Sequence, residues 1–490
     1  MGELRVEPHL FVIFGATGDL SKRNLIPAIA TLARGNRLGQ RHAILGVSTR
    51  PDFNDEQFRQ IVEKALKDAG VTNGDDMGQW CWECLHAHSV GKGRPENFGA
   101  LRKKIEEVER RHELTGNRLF YLSTPPQVFA PTIMGLGESK LNKGPGWTRL
   151  VIEKPFGRDL QSALELNALV HTYFDESQVY RIDHYLGKET VQNLFVFRFS
   201  NFIFESLWHR DRIASVDVLV AEDLGVEGRA GFYENNGAVR DIMQNHATQL
   251  VSLIAMEPPS TAAPEAIRAE KIKLLHAIQR IREEDVILGQ YTAGTARGQA
   301  VPGYLEEDGV APDSRTDTFA AVRLRINNWR WQGVPFIVRT GKRLQRRVTQ
   351  IVVTFRSAPV TFFRTMGREL AHPNALVLRL QPDEGFELGI QVKEPGDTDG
   401  LHVVPLSFSY ADAFGKLPTA YETLLLDVLS GDQTLFVHAI ETETAWRLFT
   451  PVLERELPVY PYPAGSWGPD EMDRLYQPGE EDPVRCKRIS

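Results

Sequence analysis

Cysteine is scarce in this sequence: three cysteines in 490 residues cannot form the disulfide framework of a secreted domain. No uncharged apolar run approaches the roughly 18 residues that a transmembrane helix needs. The opening residues, MGELRVEPHL, contain no hydrophobic stretch of the kind found in secretory signals. These absences predict a protein of the reducing cytoplasm that does not interact with membranes.

An excess of positive charge is also missing, since 57 Lys and Arg residues against 64 Asp and Glu residues give a formal net charge of -7. A general nucleic-acid binder needs surplus cations for phosphates, so nucleic acid is excluded as a partner. A small local anion site stays compatible with this balance. The 40 glycines and 28 prolines are scattered, which excludes low-complexity and collagen-like chains. What remains is a globular chain of two or three domains, at roughly 150 residues each.

The first part of the chain alternates short apolar strands with helical patterns. Strands are predicted at 10–14, 43–47, 119–122 and 150–152, and helices at 53–69 and 101–113. This alternation is typical of parallel βαβ units.

After about residue 183 the strand-like runs come in groups with helices set between them. Strands are predicted at 195–199, 215–221, 320–327, 336–340, 349–355, 375–380 and 386–392, and helices at 237–255, 264–281 and 420–429. This grouping favours an α+β arrangement with a mixed or antiparallel sheet. We therefore predict two domains, 1–185 and 186–490, with a Pro- and Gly-rich tail from Pro458 extended over the surface.

A glycine turn, GATGDL at 15–20, follows the first predicted strand. Its spacing departs from the dinucleotide fingerprint, but the turn still directs backbone amides and a helix N-terminus toward a pyrophosphate. A purely structural turn fits the residues equally well. The second strand ends in VSTR at 47–50, where Arg50 with its neighbouring hydroxyls suits a 2′-phosphate. The alternative is a solvated surface arginine.

The segment RIDHYLGK at 181–188 is dense in polar side chains. His184, Tyr185 and Lys188 together can hold a phosphate, because they offer cationic groups and a hydroxyl. Asp183 cannot bind an anion and is better explained as the carboxylate that orients a histidine elsewhere. The alternative is an ordinary polar helix start.

A second polar segment, VRDIMQNH at 239–246, lies on a predicted helix. His246 suits a general base at neutral pH, although a lone helix histidine is more often structural. Asp241 is five residues earlier and need not share a face with it in an α-helix. Lys154 follows the strand at 150–152, where ligands bind in open α/β sheets. A basic run at 339–347, which contains Lys342 and Arg347, is either an anion site or a solvated face.

Taken together, these segments resemble the glucose-6-phosphate dehydrogenase family over nearly the full chain. The resemblance is carried, in order, by FGATGDLSKR (14–23), VIEKPFGRDL (151–160), RIDHYLGKE (181–189), VRDIMQNH (239–246), VPFIVRTGKRL (334–344), LLLDVLSGDQTLFV (424–437) and YPAGSWGP (462–469). It implies an α/β Rossmann-like dinucleotide-binding domain, followed by a larger α+β domain with a mostly antiparallel sheet for substrate binding and oligomerisation.

The resemblance further implies an enzyme that oxidises D-glucose 6-phosphate at C1 to 6-phosphoglucono-δ-lactone, the first step of the oxidative pentose phosphate pathway. NADP⁺ is the implied hydride acceptor. An NAD-preferring or dual-cofactor enzyme and a non-catalytic NADP(H) or sugar-phosphate sensor are the alternatives. The implied setting is a homodimer or homotetramer in the cytoplasm.

The resemblance also assigns roles to residues. It implies His246 as the general base and Asp183 as its partner carboxylate. The implied substrate ligands are His184, Tyr185, Lys188, Lys154, Glu222, Asp241, Lys342 and Arg347. The implied cofactor ligands are Gly15, Ala16, Thr17, Gly18, Asp19, Leu20, Ser21, Lys22, Arg50 and Lys154. No metal is expected, because hydride transfer from an alcohol needs a base and a well-placed acceptor.

Two features depart from the family pattern. Asn24 stands where the family commonly has a third basic residue after Lys22 and Arg23, which predicts a somewhat weaker cofactor or substrate interaction. The segment CWECLHAH at 81–88 offers two thiols and two imidazoles, a pattern that can bind zinc or cycle as a dithiol. The resemblance places this segment at an ordinary strand, so we favour a structural role for it, with both imidazoles on one strand face.

Overall fold

The computed structural model describes residues 6–71, 75–91, 93–357, 373–395, 401–415, 417–478, 480 and 482–484. Residues 1–5 of the opening stretch, in which no secretory signal is expected, lie outside this part. Two compact units are formed: unit 1 comprises Met1–Lys188, Thr261–Arg268 and Pro418–Glu443, and unit 2 comprises Glu189–Ser260, Ala269–Leu417 and Thr444–Ser490. Within the described residues, none of the helices has the length and hydrophobicity to cross a bilayer.

The strands of the described residues are β1 (His9–Phe14), β2 (His42–Ser48), β3 (Leu85–Ser89), β4 (Arg118–Leu122), β5 (Thr148–Glu153), β6 (Val179–Ile182), β7 (Ile213–Ala221), β8 (Val286–Thr292), β9 (Gly294–Ala296), β10 (Gln299–Val301), β11 (Phe319–Arg325), β12 (Pro335–Gly341), β13 (Val348–Phe355), β14 (Ala375–Gln381), β15 (Gly385–Lys393), β16 (Leu401–Ser409), β17 (Phe436–Val437) and β18 (Val459–Pro463).

The helices are α1 (Ile26–Arg34), α2 (Asp55–Asp68), α3 (Asp75–Cys84), α4 (Phe98–Arg111), α5 (Phe129–Glu138), α6 (Leu160–Tyr173), α7 (Glu189–Phe199), α8 (Phe202–Glu205), α9 (Ala230–Tyr233), α10 (Thr248–Ala255), α11 (Pro264–Ala277), α12 (Tyr410–Phe414), α13 (Ala420–Ser430) and α14 (Ala439–Leu453). Two π-helical segments, Ser21–Leu25 and Val239–Ala247, directly precede α1 and α10.

Unit 1 is built on a seven-stranded sheet with the order β17-β6-β5-β4-β1-β2-β3. Neighbouring strands from β3 to β6 are parallel, and β17 is antiparallel to β6. The order 3-2-1-4-5-6 is that of a doubly wound dinucleotide-binding sheet, which confirms the predicted Rossmann-like domain. In such a sheet the ligand crevice lies at the carboxyl ends of β1 and β4, where the strand order reverses.

The chain returns to unit 1 near its C-terminal end, a feature for which the sequence gives no signal. Helix α13 begins with a capping box in which the Thr419 hydroxyl accepts the Glu422 backbone amide. The guanidinium of Arg149, a residue of β5, donates to the carbonyls of Val428 (2.6 Å) and Leu429 (2.8 Å) at the other end of α13. A cation at a helix C-terminus is favourable, so Arg149 holds the returning helix against the sheet.

Unit 2 contains a nine-stranded sheet with the order β16-β15-β14-β13-β7-β12-β11-β8-β18. The pairs β7–β12 and β8–β18 are parallel, and the other neighbours are antiparallel. The predicted α+β domain with a mostly antiparallel sheet is therefore confirmed.

Two predictions about the local structure of unit 2 are wrong. The apolar run at 195–199 belongs to α7 rather than to a strand, because a short apolar run alone cannot distinguish the two. The tail after Pro458 does not simply lie over the surface. It contributes β18 to the sheet, and the fully buried Tyr462 donates a 2.7 Å hydrogen bond to the Lys342 carbonyl.

Candidate active site

The glycine turn of unit 1 lies directly after β1, at the crevice of the sheet. Gly15 has a φ of +79°, and a Cβ at this position would lie 2.2 Å from the Ser123 carbonyl oxygen. Ser21 fixes the turn, since its hydroxyl donates to the Gly15 carbonyl (3.0 Å) and also contacts the Ser123 hydroxyl (2.9 Å). Only glycine fits this close approach of two strand ends.

Several amides of the turn are used within the protein. The amides of Gly15 and Ala16 both donate to the Val47 carbonyl, at 3.0 and 3.2 Å, and the Gly18 amide donates to the Gly15 carbonyl at 2.9 Å. These bonds set the shape of the turn. Anion binding by this loop therefore depends on its later amides, where the helix begins.

The predicted cofactor residues that follow the turn face a groove. Asp19 and Lys22 line a surface cavity of about 520 Å³ together with Arg23 and with Lys64 of α2. Three cationic side chains thus line this groove beside the start of the first helix, together with the carboxylates of Asp19 and Asp68.

Arg50 is exposed just beyond β2, and its backbone amide donates to the Ser48 hydroxyl at 3.2 Å. The Asp52 carboxylate is close to it in sequence but accepts a 3.1 Å hydrogen bond from Gln57. This hydrogen bond lowers the pKa of Asp52, and the positive charge of Arg50 lowers it further by a smaller amount. The strand end therefore presents a guanidinium and a hydroxyl, while the neighbouring carboxylate is engaged elsewhere.

The segment from Asp183 to Lys188 forms a tight turn after β6. The buried Asp183 accepts the Tyr185 backbone amide at 2.9 Å. The Lys188 ammonium lies 3.6 Å from the centroid of the Tyr185 ring, and the His184 and Tyr185 ring centroids are 5.0 Å apart. The structure thus brings together the three side chains that the sequence assigned to phosphate binding.

Lys154 follows β5, and its peptide bond to Pro155 is cis. The preceding residue, Glu153, was not identified from the sequence. Its carboxylate accepts hydrogen bonds from the Tyr121 hydroxyl (2.5 Å) and the Tyr421 hydroxyl (3.1 Å). Burial raises the pKa of Glu153 to about 7, although both hydrogen bonds and the Lys154 charge act to lower it.

In unit 2, Glu222 and Lys342 follow two parallel neighbours, β7 and β12, which end in register at Ala221 and Gly341. Because these two neighbours are parallel, their carboxyl ends lie side by side, and both side chains follow at the same end of the strands. The buried Lys342 ammonium lies 2.5 Å from a Glu222 carboxylate oxygen and 3.9 Å from one of Asp241. The structure therefore brings these three predicted substrate residues together.

Asp241 and His246 lie on the π-helix Val239–Ala247, with His246 buried. We expected that residues five apart need not share a face, as in an α-helix. In a π-helix the backbone hydrogen bonds run from i to i+5, so residues five apart lie a little more than one turn from each other along the helix. π-helical turns are rare and occur frequently at functional sites.

Arg347 is exposed in the loop before β13. The pKa of Asp223 is lowered mainly by a hydrogen bond from Arg297 and also by the charge of Arg347. Arg347 therefore lies on the protein surface, close enough to Asp223 for their charges to interact.

Cys81 and Cys84 lie at the end of α3, so the placement of this whole segment on a strand is wrong. β3 starts after them and carries His86 and His88. Burial raises the pKa of both thiols to about 11, which disfavours the thiolate that metal binding and redox chemistry require.

Comparison with known proteins gives a consistent result. The family model for the glucose-6-phosphate dehydrogenase NAD binding domain matches residues 12–193, and the model for the glucose-6-phosphate dehydrogenase C-terminal domain matches residues 195–482.

Curated relatives match over nearly the full chain. The chain is 44% identical over 481 residues to the glucose-6-phosphate 1-dehydrogenase of Aggregatibacter actinomycetemcomitans, covering 96% of each chain. It is 42% identical over 489 residues to the enzyme of that name from Treponema pallidum, covering 97% of this chain and 94% of the relative. A solved structure of a glucose-6-phosphate dehydrogenase in complex with its substrate, glucose 6-phosphate, superposes with a TM-score of 0.88 at 36% identity, covering 97% of this chain and 99% of the other.

Proposed function

Since the chain belongs to the glucose-6-phosphate dehydrogenase family and oxidises glucose 6-phosphate with a nicotinamide cofactor, we propose that NADP⁺ is its preferred acceptor and that the residues described above carry the reaction. The cofactor preference rests on one observation: Thr49 and Arg50 directly follow Ser48, the last residue of β2, and Asp52 is held by Gln57. A guanidinium with adjacent hydroxyls matches a 2′-phosphate, whereas an NAD site offers a carboxylate to the ribose.

The nicotinamide ring supplies the hydride acceptor when the cofactor is bound. His246 accepts the proton of the C1 hydroxyl while the C1–H bond breaks with its electron pair, so that C1 becomes the lactone carbonyl. Asp183 stabilises the imidazolium that results and fixes the tautomer that accepts the proton. Its amide contact with Tyr185 keeps this carboxylate in a defined orientation.

The 6-phosphate is assigned to His184, Tyr185 and Lys188. Lys188 supplies a charge and Tyr185 a hydroxyl, and their contact at 3.6 Å limits the freedom of both. Preorganised donors lose less entropy when the phosphate binds.

The sugar hydroxyls are assigned to Glu222, Asp241 and Lys342. The two carboxylates accept hydrogen bonds and the ammonium donates them. Sugar hydroxyl groups can both donate and accept, so this set of side chains suits them. Arg347 is assigned to the outer side of the phosphate, as an exposed cation.

The cofactor's pyrophosphate is assigned to the glycine turn and the start of the following helix, at Thr17, Asp19 and Leu20. The amides of Gly15, Ala16 and Gly18 shape this turn. Ser21 holds the turn, Lys22 and Arg50 supply positive charge, and Lys154 is assigned to the nicotinamide side.

We also propose a homodimer or homotetramer in the cytoplasm. Strand β16 forms one edge of the unit 2 sheet and exposes the apolar side chains of Val403, Val404 and Leu406, which suit an interface between copies. The free thiols of Cys81 and Cys84 fit a reducing compartment. Sedimentation velocity measures the oligomeric state.

The test of the cofactor assignment is the rate of appearance of reduced nicotinamide absorbance with glucose 6-phosphate and either NADP⁺ or NAD⁺. We expect a higher kcat/KM with NADP⁺. A higher kcat/KM with NAD⁺ would leave the reaction intact and refute the role of Arg50.

A further inference from the structure

The π-helix that carries Asp241 and His246 starts against an acidic residue of another segment. An Asp317 carboxylate oxygen accepts the Val239 backbone amide at 3.0 Å, and the Asp317 carbonyl accepts the Ala238 amide at 2.8 Å. Amides in the first turn of a helix lack partners within the helix, so Asp317 supplies two of the acceptors that this helix start requires.

Gly237 makes room for this contact. It has a φ of +64°, and a Cβ at this position would lie 2.3 Å from an Asp317 carboxylate oxygen. A side chain is therefore excluded by space and by backbone conformation at once. The chain uses glycine here to let the carboxylate reach the helix start.

The residue after Asp317 is tied to Lys342. The Lys342 backbone amide donates to the Thr318 carbonyl at 2.9 Å. Thr318 is itself held, because its hydroxyl accepts the Tyr291 amide at 2.9 Å. The pair Asp317–Thr318 thus connects the start of the π-helix with the backbone of the lysine at the end of β12.

The charge of Asp317 strengthens this connection. Burial raises the pKa of Asp317 to about 6, against hydrogen bonds from Val239 and Ala238 and the charge of Arg240. Tyr233 and Tyr462 also interact with it electrostatically. At pH 8 the carboxylate is ionised, and a charged acceptor at a helix N-terminus binds amides more strongly than a neutral one.

We propose that Asp317 is a positioning residue that holds the π-helix of Asp241 and His246 in register with Lys342, and so shapes the glucose 6-phosphate site without touching the substrate. This proposal rests on the roles assigned above to those three residues. An error of about 1 Å in the placement of reacting groups can cost on the order of 100-fold in rate, so a residue outside the site can control it.

The experiment compares Asp317→Ala, Asp317→Asn and the wild-type enzyme at pH 8. We measure kcat and KM for glucose 6-phosphate, and the dissociation constant for NADP⁺ without sugar. Asp317→Ala is expected to lower kcat/KM for glucose 6-phosphate by roughly 10- to 100-fold, with NADP⁺ binding unchanged. Asp317→Asn is expected to recover most of this loss, because its amide oxygen can accept the same backbone amide.

The matched control is Asp313→Ala, which removes an exposed carboxylate from the same segment and should leave all constants unchanged. Gly237→Ala is a second, independent variant that displaces the Asp317 carboxylate and should reproduce the defect in kcat/KM. It keeps the proposal testable if Asp317→Ala does not fold.

Wild-type kcat and KM for glucose 6-phosphate in folded Asp317→Ala would overturn the proposal. An equal loss of sugar turnover and NADP⁺ binding would also overturn it, because that result indicates general damage. His246→Asn is measured in parallel: if it keeps full kcat, the assigned site itself is wrong, whatever the Asp317 variants do.

Discussion

The hydroxyl of Tyr121 on β4 lies 2.5 Å from a carboxylate oxygen of Glu153 at the end of β5, and the hydroxyl of Tyr421 on α13 donates to the same oxygen. These bonds hold a buried carboxyl group next to Lys154, at the carboxyl ends of the strands, where the cofactor is assigned. The pKa of Glu153 is raised by burial to about 7, so this carboxyl changes charge near neutral pH.

Glu153 should make the enzyme less stable as the pH rises. The pKa of Glu153 is about 7 in the folded chain, whereas its ordinary value is 4.5. Between pH 4.5 and 7 the folded state therefore keeps a proton on Glu153 that the unfolded state has released. The stability contributed by this proton is complete below pH 4.5 and is lost as the pH rises through 7, by up to about 3 kcal/mol.

Melting temperatures of Glu153→Gln and the wild type between pH 5.5 and 8.5 test this prediction. The wild type should lose stability relative to Glu153→Gln across this range. Glu63→Gln, an exposed change on α2, should parallel the wild type. Parallel curves for all three proteins would show that Glu153 is ionised throughout.

His246→Asn should abolish proton removal from the C1 hydroxyl. We expect kcat to fall by roughly 10²- to 10⁴-fold with a KM for glucose 6-phosphate close to that of the wild type. Steady-state rates with saturating NADP⁺ measure this. A variant that keeps normal kcat would show that another residue is the base.

Arg50→Ala should weaken NADP⁺ far more than NAD⁺. The lost guanidinium contact to a 2′-phosphate corresponds to about 1.5–3 kcal/mol, which is roughly a 10- to 150-fold rise in the KM for NADP⁺. The KM for NAD⁺ serves as the internal control and should change little. An equal rise for both cofactors would show that Arg50 does not read the 2′-phosphate.

Asn24 is linked to the Glu153 carboxyl through Tyr421. It donates a hydrogen bond to the Tyr421 hydroxyl, which in turn donates to Glu153. Asn24→Lys should restore a positive charge there and lower at least one of the two KM values, by roughly threefold for a surface charge. Asn24→Ala separates the loss of the hydrogen bond from the gain of charge. If Asn24→Lys leaves both KM values and kcat unchanged, the departure from the family pattern has no kinetic meaning.

The sequence predicted those parts of the molecule in which neighbours along the chain are also neighbours in space. The strand before Gly15, the glycine turn at 15–20 and the presence of a helix around His246 are of this kind. Local hydrophobic period and turn residues suffice to place them.

What could not be predicted joins distant residues. Tyr421 reaches Glu153 across 268 positions, and Asp317 reaches Val239 across 78. Neither tyrosine nor aspartate carries a local signal of such a contact. The π-helix was also missed, since its i to i+5 bonds arise from packing and not from a distinct hydrophobic period.

The return of residues 418–443 to unit 1 affects how the chain is made. Because α13 and β17 belong to the first unit, the N-terminal sheet stays without its last strand until the ribosome has passed residue 443. At roughly 5–20 residues per second, this interval lasts on the order of tens of seconds. During that time the edge of β6 lacks its partner strand, and an unpaired strand edge is a site where another chain can pair.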